Sequence, residues 1–151
     1  MSQTQGKIII GCDHKGYEVK EFLKAELQNR GIPVEDVGTH SMDSVDYPDY
    51  GAKVAQAVAS GEYQRGILLC GTGIGISITA NRFKGVRAAL CCSVEMARFS
   101  REHNNANILV VGGQTTDKET AAAMLDTWLK TPYEGGRHER RNAMIDALAD
   151  S

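Results

Sequence analysis

Short apolar runs alternate with stretches whose apolar residues recur at helical spacing along this chain. Residues 7–12, KIIIGC, form a run of strand length. Val19, Phe22, Leu23 and Leu27 then recur at helical spacing, and Gly31 with Pro33 stops that helix. Residues 34–37 read as a short second strand, followed by a polar loop over 38–49. Val54, Ala55, Val58 and Ala59 mark a helix face that ends at Gly61. Residues 66–70 read as a third strand, 86–92 as a fourth and 108–111 as a fifth. A helix over 94–102 has Ser93 as its expected cap. Ala121, Met124, Leu125, Trp128 and Leu129 give the clearest helical stripe, with Thr116 or Asp117 to cap it. A Gly135-Gly136 turn leads to a last helix carrying Met144, Ile145 and Leu148. Strands alternating with helices predict an α/β fold, a parallel sheet covered on both faces.

Composition narrows the function classes. The chain has 151 residues, 42% of them apolar and 24% charged, which fits one domain over 1–151 with residues 1–6 as a flexible start. A net charge of -2 gives no electrostatic reason to expect nucleic acid or an acidic membrane as partner. No apolar run has the length of a membrane span, and Met1 to Gln5 lack the pattern of a signal peptide, so a cytoplasmic location is expected. Cys12, Cys70, Cys91 and Cys92 then read as free thiols. Three of them suit the ordinary role of a small core residue.

Cys70 differs because a glycine-rich turn comes directly after it. The segment Cys70-Gly71-Thr72-Gly73-Ile74-Gly75-Ile76-Ser77 joins the third strand to a helix. Glycines let a backbone approach a ligand, and unpaired N–H groups at a helix start favour anions. A thiol at the edge of such a turn is a candidate base or nucleophile beside an oxyanion hole. The segment is neither a dinucleotide fingerprint nor a nucleotide P-loop: Ile76 stands where the first needs glycine, and no lysine comes after Gly75. A thiol phosphatase would need arginine at the Ile76 position. A ligand-free glycine connection, or a non-catalytic anion or nucleotide sensor, remains open on these residues.

Sites in parallel sheets form beyond the carboxyl ends of the strands. That rule collects Asp13 and His14, the glycine turn, Gly112-Gly113-Gln114, and His103 with Asn104 before the fifth strand. Each has an ordinary alternative: Asp13 as a helix cap, His103 as a dipole-complementing helix terminus. Arg137 and Arg141 share a helix face with His138 close by, which suits phosphate or a solvated basic surface. No Cys-x-x-Cys or His-Glu-x-x-His pattern marks a metal site.

Jointly, Gly11-Cys12-Asp13-His14, Asp46-Tyr47-Pro48, residues 66–77, Arg101-Glu102-His103-Asn104 and Tyr133 to His138 resemble the ribose-5-phosphate isomerase type B family. That family also holds galactose-6-phosphate isomerase subunits. The resemblance implies a Rossmann-like three-layer α/β/α sandwich on a five-stranded parallel sheet. It implies a homodimer, sometimes paired into a tetramer, with the site shared between subunits and no cofactor. The implied reaction interconverts ribose 5-phosphate and ribulose 5-phosphate through an enediolate; a six-carbon substrate such as allose 6-phosphate or galactose 6-phosphate is the alternative. By resemblance Cys70 is the base, in place of the glutamate that some members carry at the Ile76 position. His103 opens the sugar ring. Thr72 is read from its place beside the thiol as orienting hydroxyls or bonding the sulfur. Gly71, Gly73, Ile74 and Gly75 supply the anion hole, and Asp13, His14, Tyr47 and Asn104 contact the sugar. Arg137 and Arg141 bind phosphate. Many relatives carry a further phosphate-binding arginine where this chain has Gln114, so Gln114 is a neutral substitute at that position.

Overall fold

The computed structural model describes residues 6–149, so all of the expected flexible start except Gly6 lies outside the described residues. The element order is β1 (Ile8–Cys12), α1 (Tyr17–Asn29), β2 (Val34–Asp36), α2 (Tyr47–Ala59), β3 (Arg65–Cys70), α3 (Ile74–Ala80), β4 (Ala88–Leu90), α4 (Val94–Glu102), β5 (Ile108–Gly112), α5 (Lys118–Lys130) and α6 (Arg137–Leu148). The five strands form one parallel sheet in the order β2-β1-β3-β5-β4. Alternation along each strand sorts side chains to two cores. Ile8, Ile10 and Cys12 join the core that α1, α4 and α5 cover, whereas Ile9, Leu68 and Cys70 join the one under α2 and α3. Burial on both faces explains why β1, β3 and β5 read as continuous apolar runs, whereas the outer strands β2 and β4 are only partly buried. The expected α/β/α sandwich is the observed fold.

Side chains cap the starts of α4 and α5. The Ser93 hydroxyl accepts from the Met96 N–H at 3.1 Å, and the Asp117 carboxylate, not Thr116, caps α5 through the Thr120 N–H at 2.7 Å. Two elements differ from the sequence reading by more than one residue at an end. Helix α2 begins at Tyr47, inside the expected 38–49 loop, because Pro48 in the first turn has the φ a helix needs and no N–H to lose. Strand β4 spans only Ala88–Leu90 of the expected 86–92. The N–H of Val86 is taken by the Phe83 carbonyl and that of Arg87 by the Asn107 side chain, so neither enters the ladder.

A buried cation fixes the chain between β2 and α2. Lys20 is fully buried, and its ammonium donates to both Asp36 oxygens, at 2.8 and 2.7 Å, and to the Thr39 carbonyl at 2.7 Å. Lys24 and the Gly38 N–H also donate to Asp36. Burial alone would raise the Asp36 carboxyl; the bonds from Lys20, Gly38 and Lys24 outweigh it and hold the group below its ordinary value. A depressed folded value stabilises fully above the unfolded aspartate value of about 3.9, and the contribution is lost as pH falls through the folded value. Lys20→Met leaves the carboxylate without its buried partner. It is expected to lower unfolding free energy by about 3–5 kcal/mol in urea titrations at neutral pH; an unchanged midpoint contradicts this account of the loop.

Candidate active site

The strand β3 ends at Cys70, which pairs in register with Gly112 of β5 and is 5% exposed. The sulfur belongs to the sheet face covered by α2 and α3, the face on which the glycine turn continues into helix. Gly73 adopts φ 81°, the left-handed region that favours glycine, and a Cβ there would also press on the end of the Leu90 side chain at 2.5 Å. The Thr72 hydroxyl accepts from the Ile74 N–H at 3.1 Å, so one amide of the expected hole is already bonded. The N–H groups of Gly71, Thr72, Gly73 and Gly75 meet no acceptor among the described residues. Ile76 is fully buried and packs under α2, so its side chain belongs to the core.

Next to this turn lies a cavity of about 550 Å³ bordered by Asp13, His14, Lys15, Asp46 and Tyr47. A Cβ on Gly75 would lie 2.7 Å from the Tyr47 hydroxyl oxygen, which places the tyrosine ring directly on the glycine backbone. Asp13 is not the cap that the sequence suggested, because the N-cap of α1 is Gly16 and no side chain caps the first turn. Its Oδ1 accepts from the N–H groups of Lys15 and Gly16 and shapes the turn into α1, while Oδ2 meets no donor among the described residues. His14 Nδ1 accepts from the Val45 N–H at 3.2 Å, which leaves Nε2 to carry the ring proton. Gln114 reaches the turn from β5: its N–H donates to the Gly71 carbonyl, and its Oε1 lies 3.2 Å from where a Gly71 Cβ would stand. Lys15, which sequence reading passed over, covers the same glycine.

A second group forms around His103. It lines a polar cavity of about 520 Å³ with Asn104, Arg137, His138 and Arg141. Asn142 is the anchor that sequence reading missed. Its amide donates to the His103 carbonyl and the Tyr133 hydroxyl and accepts from Asn104, tying α6 to the end of α4. The His103 ring stacks between Phe99 and His138, with centroids 4.8 and 4.4 Å away. Among the described residues, His103, Glu134 and His138 come closest to metal-ligand spacing, their donor atoms lying within 4.8 Å of one another. The two imidazoles are 19° from parallel, so their lone pairs run side by side rather than toward a shared centre. His138 Nε2 instead lies 3.5 Å from Glu134.

The two groups stand at opposite ends of the sheet, which corrects the grouping made from sequence. Cys70 is at the carboxyl end of β3. His103 and Asn104 close α4 and precede β5, so they lie at the amino end, where the Asn104 carbonyl accepts from Arg87, the residue before β4. The paired stretch from Gly66 and Ile108 to Cys70 and Gly112 alone spans about 13 Å, at about 3.3 Å per residue. Within one chain, then, the thiol and the His103 cavity occupy different edges. Two of the remaining cysteines are held as thiols. Burial pushes Cys12 up to about 12 and Cys91 up to about 11, so both stay protonated at neutral pH, and Cys92 is exposed.

The model of the ribose/galactose isomerase family matches residues 8–145 of this chain. The chain belongs to that family. It is 48% identical to ribose-5-phosphate isomerase B of Escherichia coli over 94% of its own length and 95% of the relative's. A ribose 5-phosphate isomerase structure from Thermotoga maritima superimposes with a TM-score of 0.91 at 56% identity, covering 93% of this chain and 97% of the other. Ribose-5-phosphate isomerase B from Mycoplasma genitalium, solved with bound ribulose 5-phosphate, gives 0.92 at 36% identity, covering 96% and 97%. Family membership makes this protein an isomerase and favours catalysis over the sensor and phosphatase readings.

Proposed function

We propose that the protein interconverts ribose 5-phosphate and ribulose 5-phosphate in a pocket built from two copies of the chain. The observation that carries the reading is Cys70 at the tip of β3, next to a turn with unpaired amides, in a chain related over nearly its whole length to an enzyme holding the ketose product. One copy supplies Cys70, the glycine turn, Asp13, His14, Tyr47 and Gln114. The other supplies His103, Asn104, Arg137 and Arg141. The separation of these groups at opposite sheet edges supports a shared site. So do the exposed apolar residues Ile74 and Ile78 on α3 and Met144, Ile145 and Leu148 on α6, which offer surface for a homodimer. A further pairing of dimers into a tetramer and a cytoplasmic location accompany this reading; among the described residues no helix is long and apolar enough to cross a membrane.

Each step can be assigned to a residue. His103 moves a proton between the ring oxygen and the anomeric hydroxyl, which opens the sugar. The Cys70 thiolate removes the proton from C2; the C–H electron pair forms the C1–C2 double bond, and the carbonyl oxygen becomes the enediolate oxyanion. Amides of the glycine turn hold that charge, and one such donor is worth about 2.7–4 kcal/mol. The proton on the C2 oxygen then passes to the C1 oxygen, and the thiol returns its proton to C1. Asp13, His14, Tyr47 and Asn104 orient hydroxyls, while Arg137 and Arg141 take the phosphate in charge-assisted forks. Thr72, bonded to the Ile74 amide, holds the turn in shape beside the thiol.

Incubating the purified protein with ribose 5-phosphate tests the reading. Ribulose 5-phosphate accumulates if it holds, and its absence overturns it. Faster turnover of allose 6-phosphate would establish a six-carbon preference. His103→Ala is expected to slow the cyclic substrate at least tenfold more than an open-chain analogue; equal losses on both contradict a ring-opening role.

A further inference from the structure

The cavity beside the glycine turn is acidic, yet the proposed substrate is an anion. Asp13, Asp46 and Asp49 all border it, and Lys15 is the one Lys or Arg side chain among its lining residues. Neighbours on several sides fix where Lys15 lies. Its N–H is held by Asp13 Oδ1 at 2.9 Å. Its carbonyl oxygen abuts Gly113, where an added Cβ would come within 2.6 Å of it. Its stem crosses Gly71, with Cβ and Cδ at 3.5 and 3.0 Å from the place a Gly71 Cβ would take. Gln114 Oε1 lies 3.2 Å from that same place. Lys15 and Gln114 therefore meet over the residue that comes after Cys70. No carboxylate among the described residues forms an ion pair with Lys15, although Lys20 and Lys24 nearby are both paired. An exposed ammonium beside three aspartates, drawn instead across a glycine backbone, is a charge available to a ligand.

We propose that Lys15, with Gln114 as its neutral neighbour, is a specificity-determining anion ligand that recognises the phosphate of the sugar from the Cys70 side of the pocket. The proposal rests on the isomerase reading for the identity of that anion. An ammonium on a four-carbon stem acts as a mobile point charge, whereas the amide of Gln114 adds a donor of fixed geometry. The pair thus supplies one positive charge and directional hydrogen bonding where Arg137 and Arg141 alone would otherwise face the acidic wall.

The test compares the wild-type protein with Lys15→Met, Lys15→Arg and the double variant Lys15→Met/Gln114→Arg. Two readouts are taken: kinetics on ribose 5-phosphate, and inhibition constants for inorganic phosphate with direct binding of inorganic phosphate by calorimetry. Lys15→Met should raise KM and weaken inorganic phosphate about tenfold each, with kcat within about twofold, tenfold being about 1.4 kcal/mol. Lys15→Arg should keep wild-type values. The double variant should recover most of the lost affinity, because the new guanidinium occupies the same patch over Gly71. Unchanged KM and phosphate affinity in Lys15→Met overturns the proposal, as does a loss confined to kcat. A wild-type protein that binds phosphate through Lys15 but forms no ketose overturns the isomerase reading and leaves the ligand assignment standing. An active wild type with a silent Lys15→Met does the reverse.

Discussion

Cys70→Ala is expected to lower kcat on ribose 5-phosphate by about 10²–10⁴-fold, the usual worth of a positioned general base. The loss is one of chemistry rather than packing. The sulfur sits in a largely apolar environment at the end of β3, so alanine removes a small volume from the core face and leaves the glycine turn in place. The turn is held by independent contacts: Gly73 in its left-handed conformation, Thr72 on the Ile74 amide, and the Gln114 N–H on the Gly71 carbonyl. The variant should therefore fold and bind inorganic phosphate as the wild type does while failing to move the C2 proton. Ile76 in the same turn cannot substitute, since it is an aliphatic side chain locked under α2. Retention of more than a tenth of the activity would remove Cys70 from the mechanism.

Two impaired variants should regain activity when combined. In a dimer whose pockets each draw Cys70 from one copy and His103 from the other, a hybrid of Cys70→Ala with His103→Ala holds one pocket with both defects and one with neither. Random reassortment of equal amounts makes half the dimers hybrids, so about a quarter of wild-type activity returns under a twofold-symmetric arrangement. The sheet geometry makes this a sharp test. The thiol lies at the carboxyl edge and His103 at the amino edge, and Asn142 ties α6 and its arginines to the amino edge as well. Refolding the two variants together and assaying ketose formation reads the result. If activity stays at the level of the separate variants, the pocket is not shared in this way.

Strand and helix positions were largely legible because β1, β3 and β5 are apolar runs buried in the sheet and α1, α2 and α5 each turn one apolar stripe to it. The thiol and its glycine turn were equally legible, as an unusual sequence at a strand's carboxyl end. What failed was the placing of His103. A residue just before a parallel strand belongs at the amino edge, and collecting it with residues beyond the strands' carboxyl ends merged two sites into one. Lys20 left a signal that was overlooked: it shares the spacing of Leu23 and Leu27 on the buried stripe of α1, where a cation needs a buried anion. Met144, Ile145 and Leu148 carried helical spacing but are exposed in the single chain, since periodicity reports an apolar face and not what covers it. Lys15 over Gly71 was not readable, because three loops from different parts of the chain converge there only in the fold.

The most direct test of the central claim tracks the hydrogen on C2. Ribose 5-phosphate carrying deuterium at C2 is incubated with enzyme in ordinary water, and the label in substrate and ketose is read by mass spectrometry. Proton transfer through the Cys70 sulfur predicts deuterium washing out into solvent with the wild type and remaining in place with Cys70→Ala. Ketose formed at wild-type rate by Cys70→Ala, with label lost as before, would contradict the account.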